Sequence, residues 1–179
     1  MQIWACGQPQ VLIPISVGDF TDFVAATGYQ TEAEQYGWSI VQLNVYDFKT
    51  AEGANWRSPD GINPIGEDMP ITQVSFNDAM AYCEWVNARL PTYEEYWSIA
   101  QRDKRKINQN SDKLLPLDAS NIIGNAWEMT TTENAKGEIQ LAGGSYFCNP
   151  TTCNGTDPSR QLFVDKTTGN IHISFSVIK

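Results

Sequence analysis

The sequence predicts one α+β domain over residues 1–179, with helices gathered in the first part of the chain and short, irregular strands after them. Apolar residues recur at helical spacing in the earlier half, between capping signals. Later, brief apolar stretches are split by Gly and Asn, the pattern of strands joined by tight turns. Neither an internal repeat nor a linker composition interrupts the chain. Its 179 residues suit a single domain, and a hydrophobic fraction of 41% is enough for a core.

The elements follow in order. "ISVGDFTDFVAATGYQ" puts Phe20, Phe23 and Val24 on one helical face, with Gly28 as the C-cap. Thr31 and Glu34 form a capping box that opens a second, short helix. "WSIVQLNVYDF" reads as a strand. "KTAEGANWRSPDGINPIGEDMP" is rich in Gly, Pro, Asn and Asp and reads as a long loop, ordered because it carries Trp56. In "SFNDAMAYCEWVNARLPTYEEYWSIAQ", Ala79, Tyr82, Cys83 and Val86 keep a helical apolar spacing. Pro91 is expected to end that helix, and Thr92 with Glu95 to cap the next. "RDKRKINQNSDK" reads as an exposed loop. "NIIGNAWEMT", "EIQLAGGSYF" and "QLFVDKTTGNIHISFSVI" read as strands, and "DKTTGNIHISFSV" alternates like a hairpin arm.

Charge narrows the function classes. Acids outnumber bases by 21 to 12, for a net charge of -9. Such a surface repels a phosphate backbone, so nucleic acid is not an expected partner and a basic peptide is a more natural one. No apolar run approaches the ~18 residues of a membrane span. The start, "MQIWACGQPQ", lacks the basic and apolar regions of a secretory signal, so a cytoplasmic location is expected. In a reducing compartment a cysteine pair more often binds metal or cycles in redox chemistry than forms a lasting disulfide.

Three groups of residues bear on chemistry. His172 is the only histidine, and no nucleophile elbow accompanies it, so it reads as a packed or hydrogen-bonded side chain. In "GGSYFCNPTTC", four residues separate Cys148 from Cys153. The spacing is open to a short disulfide, to two unrelated buried thiols, or to a two-thiolate site for a soft ion such as Cu(I). Spacing alone favours the first two. "NIIGNAWE" offers side-chain oxygens at Asn121 and Glu128 around a Gly-containing turn, a donor set that suits Ca2+ and equally a plain turn beside a buried Trp127.

Taken together, these segments resemble the formylglycine-generating enzymes, or sulfatase-modifying factors. The resemblance runs in order through "FTDFVAATGYQTEAEQYGWSIV", "EGANWRSPDG", "MPITQVSFNDAMAYCEWVNARLPTYEEYW", "NIIGNAWEMT" and "GGSYFCNPTTC". It implies an irregular C-type-lectin-like fold with little regular secondary structure. It also implies an oxidoreductase of post-translational modification, which uses O2 to convert one cysteine in a Cys-x-Pro-x-Arg peptide of an unfolded sulfatase to Cα-formylglycine. By the same resemblance Cys148 and Cys153 are the Cu(I) ligands, and Ser145 and Trp127 lie beside them. Asn55, Trp56 and Arg160 would contact the peptide. Asn121, Gly124, Ala126 and Glu128 would hold Ca2+, Gly124 and Ala126 through their carbonyls.

The chain departs from the family's pattern in places. Asn149, Pro150, Thr151 and Thr152 replace the residues usual between the two cysteines, and Ser174 and Ser176 replace a Gly and an Arg near the end. Val177 stands where a partner for Cys83 would be, so Cys83 is expected to be a free core thiol. The alternative reading is a non-catalytic ligand-binding module on the same C-type-lectin-like scaffold, of the kind found among variable proteins of diversity-generating retroelements. Such a module has no need of paired cysteines behind Gly-Gly-Ser.

Overall fold

The computed structural model describes residues 9–102, 113–118, 122–148, 151 and 155–179. Its helices are α1 (Val17–Thr27), α2 (Glu32–Tyr36), α3 (Phe76–Val86) and α4 (Tyr93–Ala100). Each begins with a reciprocal capping box, which satisfies backbone N–H groups that the first turn leaves free. Those at Thr31/Glu34 and Thr92/Glu95 were legible in the sequence. Those at Ser16/Asp19 and Ser75/Asp78 use the shorter Asp in place of Glu. Gly28 closes α1 at a φ of 69°, as expected.

The expected end of α3 is corrected. The helix stops at Val86, ahead of Pro91, because Asn87 adopts the left-handed conformation at φ 51° and its N–H caps the carbonyls of Cys83 and Glu84. Asn tolerates that conformation better than most residues do.

The expected single strand and long loop are also redrawn. Strand β2 (Trp38–Gln42) turns back on β3 (Phe48–Glu52) as an antiparallel hairpin. Asn44 makes the turn: its Oδ1 accepts from the N–H groups of Tyr46 at 2.9 Å and Asp47 at 3.1 Å. The predicted loop therefore begins only after Glu52. Ordered, as Trp56 suggested, it is tied to α2 through Glu34, whose carboxylate accepts from Trp56 Nε1 at 3.2 Å and pairs with Arg57.

The main sheet holds β4 (Trp127–Glu133), β5 (Ile139–Ala142), β6 (Phe163–Val164) and β7 (Ile173–Ser174), in the order β6-β5-β4-β7. The expected hairpin arm near the C-terminus is corrected as well. β7 runs parallel to β4, while β8 (Ser176–Val177) leaves the sheet and pairs with β1 (Ile13–Pro14). Phe175 lies between the two strands, 1% exposed, and meets the Tyr82 ring of α3 edge-on at 5.6 Å. Short strands that change partners explain the low regular structure: side-chain packing, more than ladder length, holds this half together.

The larger core cluster joins Phe20 and Phe23 of α1, Tyr82 of α3, and Met129 and Leu141 of the sheet. Cys83 is in it as a free, buried thiol, as expected, with burial pushing its pKa up to about 11. A second cluster gathers Tyr96 and Trp97 of α4 with Ile178. The sequence "RDKRKINQNSDK", expected to be an exposed loop, falls largely outside the described residues. Among the described residues no helix is long and apolar enough to cross a membrane.

Candidate active site

Close backbone contact shapes the approach to Cys148. After β5, Gly143 and Gly144 take φ values of 87° and 69°. A Cβ on Gly144 would lie 2.4 Å from the Cα of Gly155, and one on Gly143 would lie 2.1 Å from Tyr96 Oη. Only glycine permits both the conformation and the packing here. Gly155 thus returns directly against the Gly-Gly pair, at the far end of the cysteine-bearing segment.

Ser145 follows and is fully buried. Its N–H donates to Cys148 Sγ at 3.4 Å, and its Oγ lies 3.0 Å from His172 Nδ1. His172 is brought in by β7, which pairs with β4; the His172 carbonyl accepts the Trp127 N–H at 2.9 Å. Burial pushes the imidazole down to about 3, so His172 is neutral at ordinary pH. A neutral imidazole can accept from the Ser145 hydroxyl or donate to it, according to its tautomer.

Cys148, Ser145, Trp127 and His172 all line one cavity of about 420 Å3. Phe147, Leu162 and Phe163 make apolar wall, and Phe48 and Arg160 also line it. No carboxylate stands among its described lining residues. Cys148 is 1% exposed and takes part in a disulfide, so its sulfur could serve as a thiolate only after reduction.

The structure therefore brings together four of the residues singled out in the sequence: Cys148, Ser145, Trp127 and Arg160. Cys153 lies outside the described residues. Trp56 is corrected: it is 2% exposed and packed edge-on to Phe20 at 5.2 Å, and what covers its ring is Arg57, at 4.0 Å. A side chain so placed is a core anchor and cannot pack on a peptide. Asn55 does not line the cavity. Its side chain bonds the carbonyl of Gly53 and the N–H of Arg57 and shapes the loop. Among its described lining residues the cavity is mostly apolar, with Gln42, Ser145, Asn170 and His172 as uncharged polar members and Arg160 as the one charged side chain. Sequence reasoning read His172 as a packed or hydrogen-bonded side chain, and no motif around it pointed to the cavity. Nothing in the sequence pointed to Gln42, Val45 and Phe48, which reach the cavity only because the unforeseen hairpin folds over it.

Residues 12–114 match the family described as "Sulfatase-modifying factor enzyme 1-like domain". The chain belongs to that family. Formylglycine-generating enzyme of Bos taurus is 31% identical over 211 residues, covering 78% of this chain and 56% of the bovine one. Inactive C-alpha-formylglycine-generating enzyme 2 of Mus musculus is 40% identical over 109 residues, covering 51% of this chain and 35% of the mouse one. The chain thus spans about half the length, or less, of these relatives. PvdO from Pseudomonas aeruginosa superposes with a TM-score of 0.66 at 14% identity, covering 92% of this chain and 77% of that one. That likeness establishes the irregular α+β fold of the sulfatase-modifying-factor type. Relatives named as active and as inactive both match, so family membership leaves the activity to be argued from the site.

In this sulfatase-modifying-factor-type chain the turn entering β4 has the donors for a hard cation. Glu128 is buried beside Ser176, and its Oε2 makes no hydrogen bond of good geometry with the described residues. Burial pushes its carboxyl up to about 8, a cost that a bound cation would remove. The carbonyls of Gly124 and Ala126, four and two residues earlier, accept no hydrogen bond from the described residues. Asn121 lies outside the described residues. The residues present fit Ca2+, which takes carboxylate and carbonyl oxygens together.

Proposed function

We propose that the chain is a copper-dependent oxidase that converts a peptidyl cysteine to Cα-formylglycine with O2. The observation that carries this reading is the buried Cys148 sulfur at the wall of a mostly apolar cavity, with Ser145 and neutral His172 beside it. Reduced Cys148, with Cys153, would hold Cu(I), a soft ion matched to thiolate sulfur. Bound there, copper supplies thiol oxidation by O2. The net reaction turns the substrate thiol and O2, with two equivalents of a reducing thiol, into the aldehyde, hydrogen sulfide, a disulfide and water.

The chain's own residues have definite parts in this reading. The Ser145 N–H, donated to Cys148 Sγ, favours the thiolate over the thiol. The Ser145 hydroxyl, held by His172 Nδ1, keeps a proton donor or acceptor at the cavity wall without introducing a charge. Trp127, Phe147 and Leu162 exclude water, which protects an oxidation-sensitive thiolate. Ca2+ at Glu128 belongs to the same reading as a stabilising ion one residue beyond Trp127. The net charge of -9 argues against nucleic acid as a partner.

The test is a Cu(I) titration of the reduced protein against a competing chelator, followed by incubation with a cysteine peptide in air and detection of aldehyde with a hydroxylamine probe. Cu(I) affinity should be lost in Cys148→Ser and in Cys153→Ser alike. Full affinity in either variant, or a copper-loaded protein that makes no aldehyde on any cysteine peptide, would refute the oxidase. Peptide binding without conversion would assign the chain to the non-catalytic binding reading.

A further inference from the structure

The cavity beside Cys148 has a chemistry of its own. Arg160 is its one charged group among the described lining residues, and the guanidinium forms no ion pair with a described carboxylate. Its backbone is fixed: the Arg160 N–H donates to the Asp157 carbonyl at 3.1 Å, and its own carbonyl accepts the Tyr93 hydroxyl at 2.9 Å. The nearby Asp157 carboxylate is held by Ser159, at 2.9 Å from its N–H and 2.7 Å from its hydroxyl, and feels the Arg160 charge without forming an ion pair with it. Most of the cavity's described lining is apolar, with Gln42, Ser145, Asn170 and His172 as uncharged polar members, and apolar surface continues outward. The β2–β3 hairpin, whose Val45 and Phe48 line the cavity, exposes Leu43 (59%), Tyr46 (76%) and Phe48 (69%). Exposed apolar side chains continuous with a cavity mark a binding surface, and this strip is longer than a free cysteine needs.

We propose that this cavity and hairpin receive a peptidyl cysteine flanked by apolar or aromatic residues and followed by a carboxylate, which pairs with Arg160. The inference rests on the oxidase reading only in taking the bound residue to be cysteine. An arginine-bearing motif is disfavoured here: it would meet a like charge and a mostly apolar wall with no described carboxylate to receive it. A guanidinium–carboxylate pair is favourable and directional in the same place.

Fluorescence anisotropy on the copper-free protein tests this by binding alone, with serine replacing the reacting cysteine in labelled peptides. One peptide carries Phe and Leu around the serine and a following Glu; a second replaces that Glu by Gln; a third is Ser-x-Pro-x-Arg. The Glu peptide should bind about tenfold more tightly than either of the others. In Arg160→Gln the Glu and Gln peptides should bind alike. Phe48→Ala should weaken both equally. Arginine-peptide binding equal to or tighter than the Glu peptide, an unchanged Glu/Gln ratio in Arg160→Gln, or no binding of any peptide would overturn the proposal. Selective binding with no aldehyde from the cysteine form would instead sink the oxidase and leave this specificity standing.

Discussion

Ser145 and His172 are buried side by side, with Oγ 3.0 Å from Nδ1, although 26 residues separate them in sequence. Burial pulls the imidazole from its ordinary 6.5 down to about 3. Between those values the unfolded chain binds a proton at His172 that the folded chain does not. Stability from this site is therefore complete above about pH 6.5 and is lost as pH falls toward 3. The thermal midpoint of the metal-free protein should drop through that window, and His172→Asn should make the drop shallower. An equally steep drop in the variant would show that the acid loss comes from other groups.

Gly144 and Gly28 share a φ of 69°, yet they differ in surroundings. Nothing lies within 4 Å of a Cβ built on Gly28, whereas on Gly144 it would meet the Gly155 backbone at 2.4 Å. Gly28→Ala should cost about 1–2 kcal/mol, from conformation alone. Gly144→Ala should cost more, because backbone must shift as well. Equal losses in urea unfolding would mean that the return of Gly155 yields without penalty.

Glu128 is expected to make stability calcium-dependent. Ca2+ at a hundred times its Kd should add about 2.7 kcal/mol, read as a raised thermal midpoint relative to excess chelator. Glu128→Gln should remove that response while leaving the chelated protein folded, since an uncharged amide avoids the cost of burying the carboxylate. A calcium response that survives in Glu128→Gln would place the ion elsewhere.

Trp56→Ala should act on stability. Truncating so large a buried ring costs about 3–5 kcal/mol, and here it also removes the indole N–H from Glu34 and the surface beneath Arg57. Peptide affinity per folded molecule, corrected for the unfolded fraction, should not change. A selective loss of affinity with unfolding unaffected would restore Trp56 to the binding surface.

Much of the first half of the chain was legible because its signals are local. Thr31 with Glu34, and Thr92 with Glu95, satisfy helix N-termini within a few residues, and Gly28 ends α1 through its own φ. The ordered run of segments from "FTDFV" to "GGSYFC" was enough for the family and hence for the irregular α+β fold. That run also marked Cys148, Ser145 and Trp127, and the resemblance beyond it marked Arg160; the structure gathers all four at one cavity.

What the sequence could not supply depends on contacts between distant residues. Asn44 turns an apparent strand into a hairpin, and only folding carries Phe48 to the cavity. Strands of two residues such as β7 and β8 are too short for a periodic pattern, so their partners, β4 and β1, are chosen by packing around Phe175. Trp56 has the same local sequence whether it faces a peptide or the core; the positions of Phe20 and Glu34 put it inside. His172 was readable as a buried histidine, but its partner was not, because a hydrogen bond across 26 intervening residues leaves no periodic trace in sequence. Local capping and turn chemistry are written residue by residue, whereas the cavity's charge, its depth and its neighbours exist only once the chain has closed on itself.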